Sequence, residues 1–197
     1  MKVPDIYRLM IDAIVPRPVA FVTSISAKGE PNLAPFSYFN GVASNPPSIV
    51  ISVTRKPDGS KKDTLRNIEE TKQFVVNTIS EWMVEPAHQC SADYPYGVNE
   101  MEKTGLTPIA SKIVKPPRVR ESPIQMECQL YGTFEVGDGS LGCATLVIGR
   151  VVLFHVSAHA YEGGRIILER IKPISRLGGS SYGRTSEIFD IPRAKVK

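Results

Sequence analysis

The residues best suited to chemistry lie between Thr54 and Asn67, TRKPDGSKKDTLRN, where Arg55, Lys56, Lys61 and Lys62 surround one glycine and lead into a helical pattern. A helix N-terminus presents unpaired backbone N–H groups and the positive end of a dipole, so a basic loop there suits an anion such as phosphate. Thr64 adds a hydroxyl beside the first turn, and Ser60 or Asp63 could cap the helix. The Ser60-x-x-Asp63 spacing also fits a capping box, which needs no ligand, and a solvated basic loop would accommodate the cations. On these residues alone, ligand and bare loop are evenly matched. A nucleotide-hydrolysing phosphate loop is disfavoured, because G-x-x-x-x-G-K-S/T needs a second glycine and this stretch has only Gly59.

The balance shifts with Asn32 to Asn40, NLAPFSYFN. Phe36, Tyr38 and Phe39 beside Ser37 and Asn40 put flat apolar surface next to hydrogen-bonding groups, a mix suited to a planar heteroaromatic ring. Core aromatics are the plainer explanation. Strict alternation, however, would not place Tyr38 and Phe39 on one face, so at least one of them points away from the main core.

Other motifs dissolve on inspection. Gly137 to Gly142, GDGSLG, matches G-x-G-x-x-G, but the β-branched CATLVIGRVV that follows reads as a strand, whereas the dinucleotide fingerprint requires a helix. Gly179 to Gly183, GSSYG, fits the nucleophile elbow, yet the only histidines, His88, His155 and His159, all precede Ser181, so the required acid-then-histidine order fails. His88 with Cys90, or His155 with His159, could ligate zinc only in a geometry that the surrounding pattern does not offer, so no metal site is assigned. No pair of carboxylates stands out for acid/base work.

These groups need elements to hold them. Ala20 to Ser26 reads as a strand followed by a turn around Gly29, and Asn32 to Ala43 as extended but irregular chain, with Pro35 and Gly41 where an edge or bulge tolerates them. Ser48 to Val53 is a strand feeding the basic loop, Leu65 and Ile68 mark one face of a helix, and Phe74 to Ile79 is again a strand. Glu81 to Asp93 reads as helical despite Pro86. The loop-rich stretch from Tyr94 to Pro123 holds a short helix at Val98 to Lys103, and Ile124 to Val136 with Cys143 to Val156 form a hairpin across GDGSLG. Strands that follow one another without crossover helices point to an antiparallel barrel with a few attached helices. Only the last few residues are expected to be disordered.

Length and composition set the outer bounds. With 197 residues and a 42% hydrophobic share the chain supports one well-buried core, so residues 1–197 are expected to be one domain. The net charge of +4 is spread among acids with no long basic run, which fits a phosphorylated small ligand better than nucleic acid. Cys90, Cys128 and Cys143 form no motif and leave an odd thiol, as in a reducing compartment. The first twenty residues, broken by Asp5, Arg8, Asp12 and three prolines, have neither a signal-peptide core nor a membrane span. A soluble cytoplasmic protein is expected.

Taken in order, PRPVAFVTSIS, NLAPFSYFNGVASNPP, TRKPDGSKKDTLRNIEET with FVVNTIS, VKPPRVRESP and RLGGSSYGR resemble the flavin reductase-like family of FMN-binding split-barrel proteins, from about Pro16 to Tyr182. The resemblance implies a mainly β, six-stranded Greek-key split β-barrel with a few peripheral helices, forming a homodimer with FMN near the subunit interface. It implies an isoalloxazine lying against Ala34, Pro35, Phe36, Ser37, Tyr38, Phe39 and Asn40. The strand end Val53, Thr54 and Arg55, together with Lys61, Lys62, Asp63 and Thr64, would hold the ribityl chain and phosphate. Trp82 and Met83 would add a contact, and Gly178, Gly179 and Tyr182 would close the far side. The implied chemistry is hydride transfer from NADH or NADPH to the flavin, which supplies the reactive atoms, so no catalytic side chain is named. The electrons would pass to a monooxygenase or another acceptor. The alternatives are a flavin-binding storage or sensing module without turnover, and a ferric or other metal-complex reductase.

Overall fold

The computed structural model describes residues 1–194; the disorder expected for the last few residues lies outside them. Seven strands form the principal sheet: β1 (Ala20–Ile25), β2 (Pro31–Phe36), β3 (Phe39–Ser44), β4 (Pro47–Thr54), β5 (Gln73–Thr78), β6 (Ile124–Val136) and β7 (Ala144–Val156). They lie in the order β2-β1-β5-β6-β7-β4-β3, every neighbouring pair antiparallel. The two edge strands, β2 and β3, are consecutive in the chain and separated only by Ser37 and Tyr38. Three Cα steps reach at most about 11 Å, so the sheet must curl until its edges meet. The corner is pinned by the Ser52 N–H, which donates to the Tyr38 carbonyl at 2.8 Å. No ladder joins β2 to β3 among the described residues, which makes the closed sheet a split barrel.

The mainly β barrel is the expected architecture, with seven strands in its sheet where six were expected. The difference arises in NLAPFSYFNGVA, which is two strands and not one irregular one. Pro35 sits on edge strand β2 opposite Phe21, where its missing N–H costs no ladder bond, and a bulge follows Gly41 on β3. GDGSLG is a hairpin turn, as its strand-like sequel requires. Gly137, at φ +93, would place a Cβ 2.3 Å from the Cys143 sulfur, so only glycine fits there.

β1 is buried along its whole length because its two faces serve different cores. Ala20 and Val22 point into the barrel with Ile51, Val53, Phe74 and Val147. Val19, just before the strand, and Phe21 point outward to a second cluster with Leu33, Met83, Met101 and Val119. Helix α2 (Asp63–Thr71) follows the basic loop and buries Leu65 and Ile68 against the barrel, the face expected from their spacing. The segment read as one helix from Glu81 to Asp93 is a short 3-10 turn at Glu81–Met83 running into α3 (Val84–Gln89), and the next helix, α4, is Glu100–Thr104. The N-terminal helix α1 (Val3–Ala13), unforeseen in the sequence, is held by Arg17, whose guanidinium donates to the carbonyls of Ile11 and Ile14. None of the helices among the described residues is long and apolar enough to cross a membrane.

Candidate functional site

The basic loop, the edge strand β2 and the chain after α3 enclose a cavity of about 330 Å³. One wall is β2, through Asn32, Ala34, Pro35 and Phe36; the opposite wall is Lys56 to Asp58 with the first turn of α2, through Lys62, Asp63 and Thr64. Cys90 to Tyr94 and Glu100 complete it.

A buried polar network fixes the two main walls to each other. The Asn32 side-chain amide donates to Thr64 Oγ1 at 2.9 Å, and that of Asn67 donates to Ser24 Oγ at 3.2 Å. Thr64 is 2% exposed, Asn67 1% and Ser24 is fully covered. Since Thr64 Oγ1 accepts from Asn32, its own hydrogen remains available for an acceptor in the cavity.

The expected capping box is not formed. Lys62 is the N-cap residue and makes no side-chain cap bond, so the first N–H groups of α2 lack a side-chain partner. Ser60 turns to Asp58 instead, its N–H and Oγ both donating to Oδ1, at 2.9 and 2.6 Å. These bonds, the hydroxyl's first, hold the Asp58 carboxyl below the usual range. Asp63 opens the helix and accepts from Lys56 Nζ at 2.9 Å.

The four cations of the loop separate into two groups. Arg55 is 9% exposed and donates through Nη2 to Glu135 at 2.5 Å, while its Nη1 is buried without a partner. Glu135 also accepts from Thr145 at 2.8 Å, and that bond with the Arg55 charge holds its carboxyl below the usual range. Lys56 is tied to Asp63, and Lys61 to both oxygens of Glu69 at 2.7 Å. The Lys62 ammonium has no hydrogen bond or ion pair among the described residues, and Lys62 lines the cavity.

Of the residues implied for a flavin, the cavity gathers Ala34, Pro35, Phe36, Lys62, Asp63 and Thr64. Ser37 lines a neighbouring cavity with Tyr182. Tyr38 sits at the barrel corner with its hydroxyl covered and unpartnered, and burial pushes its pKa up. Phe39 packs on the barrel core, so of the adjacent aromatic pair it is Tyr38 that turns from it. Asn40 is exposed and accepts from the Gly41 N–H at 2.8 Å. Val53 is buried in the barrel, Thr54 ends β4 opposite Ala144, and Arg55 and Lys61 stand outside the cavity wall in their ion pairs. Met83 belongs to the outer core, and half-exposed Trp82 donates to the Glu121 carbonyl at 3.0 Å.

Sequence reasoning missed Asn32, the Cys90–Tyr94 wall and Glu100. Glu100 is 6% exposed and accepts from the Leu33 N–H at 2.8 Å; burial raises its pKa. No local signal marks it, since VNEMEKTG reads only as a short helix. Backbone groups of one residue in an antiparallel strand face the same side, so the carbonyl of Pro35 shares the outer edge of β2 with the Leu33 N–H. Cys90 is no candidate nucleophile: burial pushes its thiol up to about 11.

The cavity thus offers a free ammonium, a hydroxyl and an uncapped helix N-terminus at one end, and an edge strand with Phe36 at the other. That is a fit for a phosphate attached to a ring. Residues 12–169 match the model of the flavin reductase like domain. Nitrilotriacetate monooxygenase component B from Bacillus cereus is 46% identical, with TM-score 0.93 over 97% of this chain and 95% of its own. The 2-nitrobenzoate 2-nitroreductase NbaA of Pseudomonas fluorescens is 31% identical, with TM-score 0.88 over 98% and 93%. A protein with a split barrel domain from Shewanella frigidimarina shares the fold, at 24% identity and TM-score 0.86 over 98% and 94%. The chain belongs to the flavin reductase-like family and is an oxidoreductase of the flavin reductase or flavoredoxin type.

Proposed function

We propose that this member of the flavin reductase-like family is an NAD(P)H-dependent FMN reductase, a single flavin-binding unit that works as a homodimer in the cytoplasm. The observation that carries the reading is the unpaired Lys62 at the uncapped start of α2, facing an edge strand across a cavity of about 330 Å³. The residues present suit the cofactor. The first-turn N–H groups of α2, the Lys62 ammonium and the Thr64 hydroxyl bind its phosphate. Asp63 does not oppose that charge, being neutralised by Lys56 at 2.9 Å. Phe36 and the outer backbone edge of β2 orient the ring and exclude water from one of its faces. FMN held there supplies the hydride-accepting ring, and a nicotinamide supplies the hydride. Arg55, tied to Glu135, acts on the phosphate only as a more distant charge. The similarity to a monooxygenase component supports delivery of the electrons to an oxygenase partner.

The test is a spectrum of the purified protein titrated with FMN and then reduced without oxygen by NADH or NADPH. Saturable binding followed by bleaching of the flavin absorbance is expected. Protein that takes up FMN but is never bleached by either nicotinamide would be a flavin-binding module without turnover. Protein that takes up no FMN overturns the reading.

A further inference from the structure

A second cavity, of about 220 Å³, adjoins the first and shares Pro35 and Ser91 with it. Its size lies below the range of about 300–1,000 Å³ typical for drug-sized ligands, so its occupant is a small molecule. Val19, Ile79, Val84 and Ile174 make an apolar wall, and Tyr7 and Tyr182 add aromatic faces. Tyr182 is held in place by His88, whose Nδ1 lies 3.1 Å from its hydroxyl and whose ring meets it edge-on.

The charges around this space are unbalanced. Arg176 lines the cavity, stacks 4.5 Å from the Tyr182 ring centre and donates through Nη2 to the Gly179 carbonyl at 2.7 Å. Its Nη1 is covered and donates to nothing. Arg17 is 3% exposed and is held only by neutral acceptors: the carbonyls of Ile11, Ile14 and Leu177, and the hydroxyl of Ser37, itself a lining residue. Neither guanidinium pairs with a carboxylate among the described residues. A covered cation without a counter-ion, and a buried donor without an acceptor, are both costly. Arg176 lines the cavity whereas Arg17 stands behind Ser37, so a carboxylate there would answer the Arg176 charge directly and the Arg17 charge only at longer range, and the guanidinium fork suits it.

We propose that this second cavity binds a small aromatic carboxylate, with its ring against Tyr182 and the apolar wall and its carboxylate on Arg176. The inference rests on the FMN reading for its place beside a flavin, and on Arg176 for its chemistry. The site would hold a planar organic acid next to the cofactor. A nicotinamide ring is equally flat but carries a neutral carboxamide, which leaves the guanidinium charge unanswered.

Benzoate and benzamide titrated calorimetrically into the protein, with and without saturating FMN, separate these cases. Benzoate is expected to bind at least tenfold more tightly than benzamide under both conditions. R176Q should bring benzoate to the level of benzamide, and R176K, which keeps the charge, should retain part of the difference. Equal affinity for the two ligands, undiminished benzoate binding in R176Q, or competition between benzoate and FMN would each overturn the proposal. The FMN titration reports separately: Arg176-dependent benzoate binding to a protein that takes up no FMN sustains the acid site and removes only the flavin beside it.

Discussion

Replacing Lys62 with alanine should weaken FMN without weakening riboflavin, and should do so more than replacing Arg55. Lys62 is the one cation of the basic loop with no ion pair among the described residues, and it lines the cavity at the start of α2. Its removal deletes a charge-assisted phosphate bond worth roughly 1.5 to 3 kcal/mol. At about 1.4 kcal/mol per decade this is roughly a 10- to 150-fold rise in the FMN dissociation constant. The helix N–H groups and Thr64 remain, so binding is weakened and not abolished. Arg55 has already committed Nη2 to Glu135 at 2.5 Å. R55A therefore removes only a longer-range attraction, and its effect on FMN should stay below that of K62A. The assay is quenching of flavin fluorescence, with FMN and riboflavin titrated in parallel against wild type, K62A and R55A. Equal losses for FMN and riboflavin in K62A, or a greater FMN loss in R55A, would refute the assignment of the phosphate to the helix start.

Three further outcomes test the fold around the site. Glu127 is fully buried; burial alone would raise its pKa, but the N–H groups of Lys112, Ile113 and Val114, together with His155 Nε2 at 2.6 Å, bring it down from 4.5 to about 2. A depressed carboxyl stabilises the fold above its unfolded pKa and loses that contribution as pH falls, so about 3 kcal/mol should vanish between about pH 4.5 and 2. Denaturant melts across that window should show the loss in wild type and a flatter profile in E127Q. G149A should destabilise by about 1–3 kcal/mol, because the added Cβ would lie 2.3 Å from Phe74 Cζ in the barrel core. A thermal melt unchanged from wild type would contradict that packing. Sedimentation should give twice the chain mass if the exposed apolar side chains Tyr131, Phe134 and Val136 near the tip of the β6–β7 hairpin meet a second copy; a monomer at micromolar concentration would oppose the homodimer.

Much of the fold was legible in the sequence because strands and turns announce themselves locally. Period-two alternation, β-branched runs and the glycines of GDGSLG marked β4 to β7 and their hairpin. The double burial of β1 was hidden, since AFVTSIS reads alike whether one face is covered or two. The second core forms only when α3, α4 and the chain around Met83, Val119 and Ile174 pack on its outer side. The N-terminal helix was overlooked because Asp5, Arg8 and Asp12 look like interruptions until one face is known to carry them.

The sequence by itself determined that a cationic loop runs from a strand into a helix, that an aromatic edge segment lies about twenty residues earlier, and that these motifs in register belong to a flavin-binding family. Which cations are free was decided only by the tertiary structure. Arg55 and Glu135 are 80 residues apart and meet because β4 pairs with β7 and β7 with β6. Ion pairing depends on distances of a few ångströms, and chain folding over such separations sets those distances. The capping box failed for a related reason: Ser60 and Asp63 each had a nearer partner, in Asp58 and Lys56. The far walls of the cavity, Cys90 to Tyr94 and Glu100, carry no signal of their own and became part of the site only when α3 and α4 packed across β2.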